Sequence, residues 1–430
     1  MIPIYLLSIL LLGLFTVSKK NESDFIYASR KLTLPSFIAT FVTTWYGGIL
    51  EIGRFSFENG VVTWVIFGLF YYLSAFIFVK YIGKKIHDNK IDTIPGYFHK
   101  HYGYICGVTS SIIIILISSP APYLMIFAII LTHQYDISYI YSLLIGIFFS
   151  VSYILIGGFK SIIRTDKLQF VLMYSGFFIF FCVLYFNYGG ISFLIQNTPS
   201  GHLSLTNNLP IGFILSWSLI SMITFIDPNI FQRVYSADSK RIVHKGILIS
   251  ILFWIIFDFL SISIGLYASA IIIPGTIDGN PYLILSKMVL SPFFNIIFII
   301  SLFSIVMSSI DSFTFTSAIT IAKEFKNKKP LIHNVKIGLI ITIIVSLIIS
   351  VSFKQIIDIW YVFGSIGASS ILIPFIRILF YPNKKVLYPI VSIVSPIIIC
   401  IIWILCDYPH GIDCMYPGIF TSLVLNRCNH

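Results

Sequence analysis

Between Ser301 and Ala322 the chain carries nine hydroxyls and one carboxylate, Asp311, in a run long enough to cross a bilayer. On a helical wheel Ser301, Ser304, Ser308, Ser309, Asp311, Ser312, Thr316 and Thr320 fall within about half of the circumference. Ile, Phe, Met and Val dominate the opposite face. Hydrocarbon penalises polar groups, so such a stripe must face protein, water or a bound ion. Hydroxyl and carboxylate oxygens are the ligands of a hard cation. A single hydroxyl would read as helix–helix glue, but eight polar residues, an intramembrane acid among them, predict an ion or solute path. Glu51 and Asp258 are further acids inside apolar runs. Asp258 either attracts a cationic group, relays a proton, or is a neutral, hydrogen-bonded acid. His87, His99 and His101 cluster in one connection, but no second motif completes an enzyme site, and the chain is read as a non-enzyme. The six cysteines have no metal spacing; Cys406 and Cys414 flank DYPHGID, where a disulfide or two free thiols would both fit.

The elements that position these groups are membrane helices. Of 430 residues, 57% are hydrophobic and only 10% charged, and the mean hydropathy is +0.94, which excludes an ordinary soluble domain. Apolar runs lie near 3–17, 34–53, 60–82, 103–132, 137–157, 168–187, 209–226, 246–272, 291–322, 334–352, 356–380 and 386–405, with a partial one at 415–426. The net charge of +11 is not a nucleic-acid footprint. Connections on one side hold 25 of the 28 Lys and Arg, and the other side holds only Arg54, Lys287 and Lys354. The positive-inside rule then predicts a multi-pass protein of a bacterial-type inner membrane, with its amino terminus outside. The first run is short and is read as an uncleaved helix.

Two runs look broken. Thr43, Thr44, Gly47, Gly48 and Glu51 interrupt 38–53, and Ser216, Ser218, Ser221 and Thr224 precede an Asp-Pro in 213–228. They open the second and seventh runs, five apart, so two five-helix halves would have opposite orientation. Interrupted segments in matching positions point to an inverted-repeat transporter with its site at mid-depth. The predicted organisation is an extra helix and loop over 1–33, repeats over 34–188 and 209–381, and a carboxy-terminal helix and tail over 382–430.

Six segments then carry a resemblance in order: SDFIYASRKLTLP (23–35), TIPGYFHKHYG (93–103), GGFKSIIRTDKLQF (157–170), DPNIFQRVYSADSKR (227–241), MSSIDSFTFTSAITIAKEF (307–325) and QIIDIWYVFGSIG (355–367). The chain resembles the sodium:solute symporter family, whose 5+5 inverted-repeat fold is that of the bacterial leucine transporter with an extra helix in front. Arg164 departs from the family's usual Trp, and Glu51 adds an acid where many members are apolar.

The resemblance implies an all-α polytopic transporter that couples sodium to uptake of a small organic solute by alternating access. It implies a sodium site of carbonyls at Thr43, Tyr46 and Ile305 with the hydroxyls of Ser308 and Ser309, and a second cation at Asp166, Asp311 and Ser312. Sodium would be a coupling ion rather than a held cofactor, and the partners are the solute and the lipid bilayer, with no nucleic acid. Candidates for the solute pocket are Trp45, Tyr46, Glu51, Tyr72, Trp217, Ser218, Asp258 and Tyr361, with Phe70, Tyr71 and Trp360 able to close it. The acids and amides of the family's sugar-type pattern on the second core helix are missing, since 61–79 holds no Asn, Gln, Asp or Glu, and by the resemblance this argues against a sugar. A proton-coupled symporter of the same fold and a non-transporting membrane sensor are the alternatives.

Overall fold

The computed structural model describes residues 1–16, 21–88, 91–273, 279–325, 327–383 and 386–426. Arg427 and Cys428 lie outside the described residues. Helix α1 spans Ile2–Leu14. The first broken span is α2 (Leu34–Thr43) and α3 (Ile49–Asn59), joined by a tight 3-10 turn over Thr44–Tyr46. Next come α4 (Val62–Tyr81), the bent α5 (Tyr104–Tyr135), α6 (Tyr139–Gly157) and α7 (Phe159–Tyr188). The second broken span is α8 (Ile211–Ile220) and α9 (Pro228–Ser236), separated by a 3-10 stretch over Ser221–Ile226. Then follow α10 (Lys240–Ile271), α11 (Pro292–Glu324), α12 (Leu331–Ser352) and α13 (Ile356–Phe380), and finally α14 (Pro389–Leu405) and α15 (Met415–Leu425). Two sets of five spans thus each begin with a broken one. Short helices at Ile191–Asn197 and Pro281–Val289 fill the two long connections on the side poor in basic residues.

Local chemistry explains both breaks. A Cβ on Gly47 would strike Tyr123 and Ser309, and one on Gly48 would strike the Trp360 ring, so the backbone there lies against its neighbours. In the second break Asp227 is extended and its side chain accepts the backbone N–H of Asn229 at 2.7 Å, while Pro228 occupies the first turn of α9. That is a helix start written in the sequence.

Helix α11 is the central post. From Phe298 to Ala322 nearly every residue is buried, on both faces, against α7, α12, α5 and the first break. Its hydroxyls bond sideways as well as back along the helix. Ser317 donates to the carbonyl of Ser118 at 2.8 Å, and Thr316 donates to Asn229 at 3.0 Å. Outer helices show the lipid-facing pattern instead: Ile340, Ile344 and Ile348 of α12 form one exposed stripe at four-residue spacing. The end of the bundle with the basic connections is tied by Arg30 and Lys323 on Asp92 at 3.3 and 3.1 Å, and by Lys160 on Asp24 at 3.4 Å. His99 holds Glu324 at 2.9 Å there. Cys406 and Cys414 are free thiols, so the disulfide expected as one alternative is not formed.

Candidate functional site

The first break meets α11 at mid-bundle. Ser309 donates its hydroxyl to the Thr44 carbonyl at 2.8 Å and approaches the Ile305 carbonyl one turn back at 3.5 Å. Ser308, beside it, donates to Asp166 of α7 at 2.6 Å, and Thr40 donates to the same carboxylate. The structure therefore brings Ile305, Ser308 and Ser309 together with the break. The carbonyl that Ser309 engages belongs to Thr44, between the expected Thr43 and Tyr46. Thr43 turns its hydroxyl back to Ala39 at 2.9 Å, and the Tyr46 side chain runs away to the Trp254 carbonyl at 2.9 Å.

Arg233 of α9 occupies the adjacent space and is 1% exposed. Its Nη2 donates to Thr44 and Ser312 at 2.6 Å each and to Thr40 at 2.9 Å, and lies 3.8 Å from Asp166. One guanidinium thus links the second broken span to α2, α7 and α11. Of the three second-cation candidates, Asp166 and Ser312 converge on Arg233, while Asp311 turns aside to accept a hydrogen bond from Tyr153 of α6. A buried carboxylate that already faces a guanidinium has less need of a metal cation.

A cavity of about 170 Å³ opens beside the two breaks. Trp45, Tyr71, Tyr123, Trp217, Trp254 and Trp360 give it aromatic walls, and Asp227, Asn229 and Arg233 give it a polar floor. The rings brace one another: Trp45 lies 4.9 Å from both Tyr71 and Trp254, centroid to centroid. Four donors on these wall and floor residues have no partner among the described residues: the indole N–H of Trp217 and of Trp254, the Asn229 amide and Arg233 Nε. Asp227 has no ion pair among the described residues. Unmatched donors next to a cavity ask for acceptor oxygens, and the Asp227 carboxylate, which shares the floor with Arg233 and accepts the Asn229 N–H, adds an anionic group among π faces.

Of the pocket candidates read from sequence, only Trp45 and Trp217 line this cavity. Tyr46 is buried behind it against Phe257. Asp258 is bonded to Tyr72, also behind it, and Glu51 lies 3.9 Å from Arg54. Ser218 bonds back to Leu215 at 2.7 Å, and Tyr361 packs on the outside of Trp217, 6.0 Å away. Trp360 and Tyr71 reach the wall as closing residues. Tyr123, Trp254, Asp227 and Arg233 were missed. Trp254 had a signal, since it lies one turn from Asp258 on α10; Tyr123 had only its place after Pro120 and Pro122.

The sequence profile of the sodium:solute symporter family matches residues 25–385. A sodium/proline symporter of Haemophilus influenzae is 23% identical over 358 residues, covering 75% of this chain and 69% of that protein. The fold is similar to that of a Na+-coupled sialic acid symporter in a substrate-bound, outward-open state, with a TM-score of 0.81 at 15% identity over 99% of this chain and 94% of the other. A nucleobase–cation symport-1 family transporter, closed around bromovinylhydantoin, superposes with a TM-score of 0.63 at 12% identity over 94% of each chain.

Proposed function

This chain belongs to the sodium:solute symporter family, and we propose that it carries a small zwitterion, bearing a carboxylate and an ammonium group, into the cell together with sodium. It is a multi-pass membrane protein with the 5+5 inverted-repeat fold. In this reading the membrane is a bacterial-type inner membrane, with the amino terminus outside and the basic connections in the cytoplasm.

One observation carries the ion part: the Ser309 hydroxyl rests on the Thr44 carbonyl across the junction of α11 and the first break. Sodium would sit among the carbonyls of Thr43, Thr44, Tyr46 and Ile305 and the hydroxyls of Ser308 and Ser309. These are neutral oxygens, as suits a monovalent hard ion; a divalent one would want more carboxylates. An ion there would pin the first broken span to the central post. Trp45 and Gly48 belong to the same turn and line the cavity, so pinning it also orders the solute wall. Ion and solute then favour the same state, and each raises the affinity for the other.

The unmatched donors at Trp217, Trp254, Asn229 and Arg233 would take the solute carboxylate, and Asp227 with the ring faces would take its ammonium. The test is uptake of a panel of radiolabelled zwitterions, carboxylates and ammonium compounds into proteoliposomes under an inward sodium gradient. Uptake of zwitterions alone supports the reading, and uptake of neutral sugars alone refutes it. Proton coupling is the second reading. It is favoured by the buried Asp258–Tyr72 pair, which lies behind the cavity wall outside the sodium cluster.

A further inference from the structure

A separate cavity, of about 250 Å³, opens between the short helix Ile94–Tyr102 and the junction of α13 with α14. It shares no lining residue with the solute cavity and lies at the end of the bundle with the basic connections. The short helix is held by its apolar face: Ile94, Tyr97 and Phe98 are buried, and the rings of Tyr97 and Phe98 lie 5.5 and 6.3 Å from that of Phe375 on α13. Gly103, at φ +87°, then turns the chain sharply into α5. This docking leaves Lys100 exposed and His101 half-buried in the cavity wall, against the Pro382 carbonyl.

The cavity has two kinds of wall. His101, Tyr102 and Tyr381 give it a polar side, and Ile378, Val386 and Pro389 an apolar one. The chain that adjoins the lining is apolar and uncovered: Tyr104 and Ile105 follow Tyr102, and Leu387 and Tyr388 separate Val386 from Pro389, all four exposed. Exposed apolar side chains on a membrane bundle meet lipid, and tyrosines at helix ends mark the headgroup level.

The charge at this corner is positive and unmatched. Lys100 has no ion pair among the described residues, whereas the acids of the same connection, Asp88 and Asp92, are engaged by Lys240, Arg30 and Lys323. No Asp or Glu lines the cavity among the described residues. Burial and the Lys100 charge hold the His101 imidazole below its usual range, as suits a cationic corner with no anion beside it.

The geometry points to a lipid site: one anionic glycerophospholipid, its phosphate between Lys100 and His101 and the first part of its acyl chains over Ile378, Val386 and Pro389. A free phosphate would satisfy the cations and leave the apolar wall and its exposed flanks unused. The position has a consequence for the core. His99, on the same short helix, holds Glu324 at the end of α11, so a lipid that fixes this helix also braces the basic end of the central post. The site depends neither on the coupling ion nor on the solute.

The experiment is native mass spectrometry of the purified full-length chain, released from detergent that holds equimolar phosphatidylglycerol and phosphatidylcholine. Wild type should retain one phosphatidylglycerol in preference to phosphatidylcholine. Lys100→Gln removes an exposed, unpaired charge, which leaves the fold in place, and should lower that preference roughly fivefold. Lys328→Gln/Lys329→Gln removes two exposed charges from another connection at the same end and should keep it. Equal retention of the two lipids by wild type, or an unchanged preference in Lys100→Gln, overturns the site. An equal loss in the Lys328/Lys329 variant also overturns it, since the preference would then come from the charge of the whole surface. Displacement of the lipid by soluble glycerol 1-phosphate overturns it in favour of a free phosphate.

Discussion

Ser309 and Thr44 stand 265 residues apart in sequence, and the serine hydroxyl rests 2.8 Å from the threonine carbonyl. That contact joins the central post to the turn that also carries Trp45, a wall of the solute cavity. A sodium ion at this junction would touch both elements, so its binding is felt one residue away in the wall. Coupling needs nothing more than this shared turn and a preference of ion and solute for one conformation.

Arg233 and Asp166 form the buried charge pair beside that junction. Removing one partner leaves the other uncompensated, so Arg233→Met or Asp166→Leu alone should destabilise the protein by about 3–5 kcal/mol. The double variant should recover most of that loss. Thermal denaturation of the four proteins in one detergent measures it; equal losses in the single and double variants would show that the pair is not coupled.

Gly48 abuts the Trp360 ring. Gly48→Ala should therefore displace that ring, cost about 1–3 kcal/mol of stability by overpacking, and raise the solute KM. A normal KM would mean that Trp360 yields without consequence to the cavity.

Asp227 both caps α9 and faces the cavity. Asn caps nearly as well as Asp, so Asp227→Asn should keep the fold and lose only the charge. Affinity for an ammonium-bearing solute should fall roughly tenfold or more, with sodium binding retained. Trp254→Phe keeps a ring and removes the N–H, so it should instead weaken recognition of the solute carboxylate. Competition uptake with carboxylate-lacking and ammonium-lacking analogues separates the two effects.

Asp258 distinguishes the coupling ions. It is bonded to Tyr72 behind the cavity and away from Ser308 and Ser309. Asp258→Asn keeps an acceptor for that phenol and should retain sodium-driven uptake. Abolished uptake, with proton-driven uptake present in wild type, would transfer the coupling role to this acid.

Much of this architecture was legible because its signals are local. A Gly pair after two threonines and an Asp-Pro after a serine-rich run each write a helix break into a few residues. The stripe on α11 was visible because helical periodicity puts its hydroxyls on one side. What escaped depends on reach between distant segments. By sequence Arg233 counts among the basic residues of a connection, yet its long side chain extends into a cluster of hydroxyls from α2, the first break and α11. Trp254 and Tyr123 stand in apolar runs whose other aromatics face lipid or core, and sequence spacing does not separate the three environments. Glu51 and Asp258 drew notice as intramembrane acids, but Arg54 and Tyr72 meet them outside the cavity. Asp311 belonged to the stripe by periodicity, while its partner Tyr153 came from a helix with no polar signature of its own.

The central claim is a sodium site where α11 meets the first break. Thermal stability of purified wild type and of Ser308→Ala/Ser309→Ala, measured in sodium and in potassium at equal ionic strength, tests it most directly. The account predicts that sodium raises the wild-type melting temperature above that in potassium and that the double variant loses this difference. Equal melting temperatures of wild type in the two salts, or a sodium effect that survives in the double variant, would contradict it.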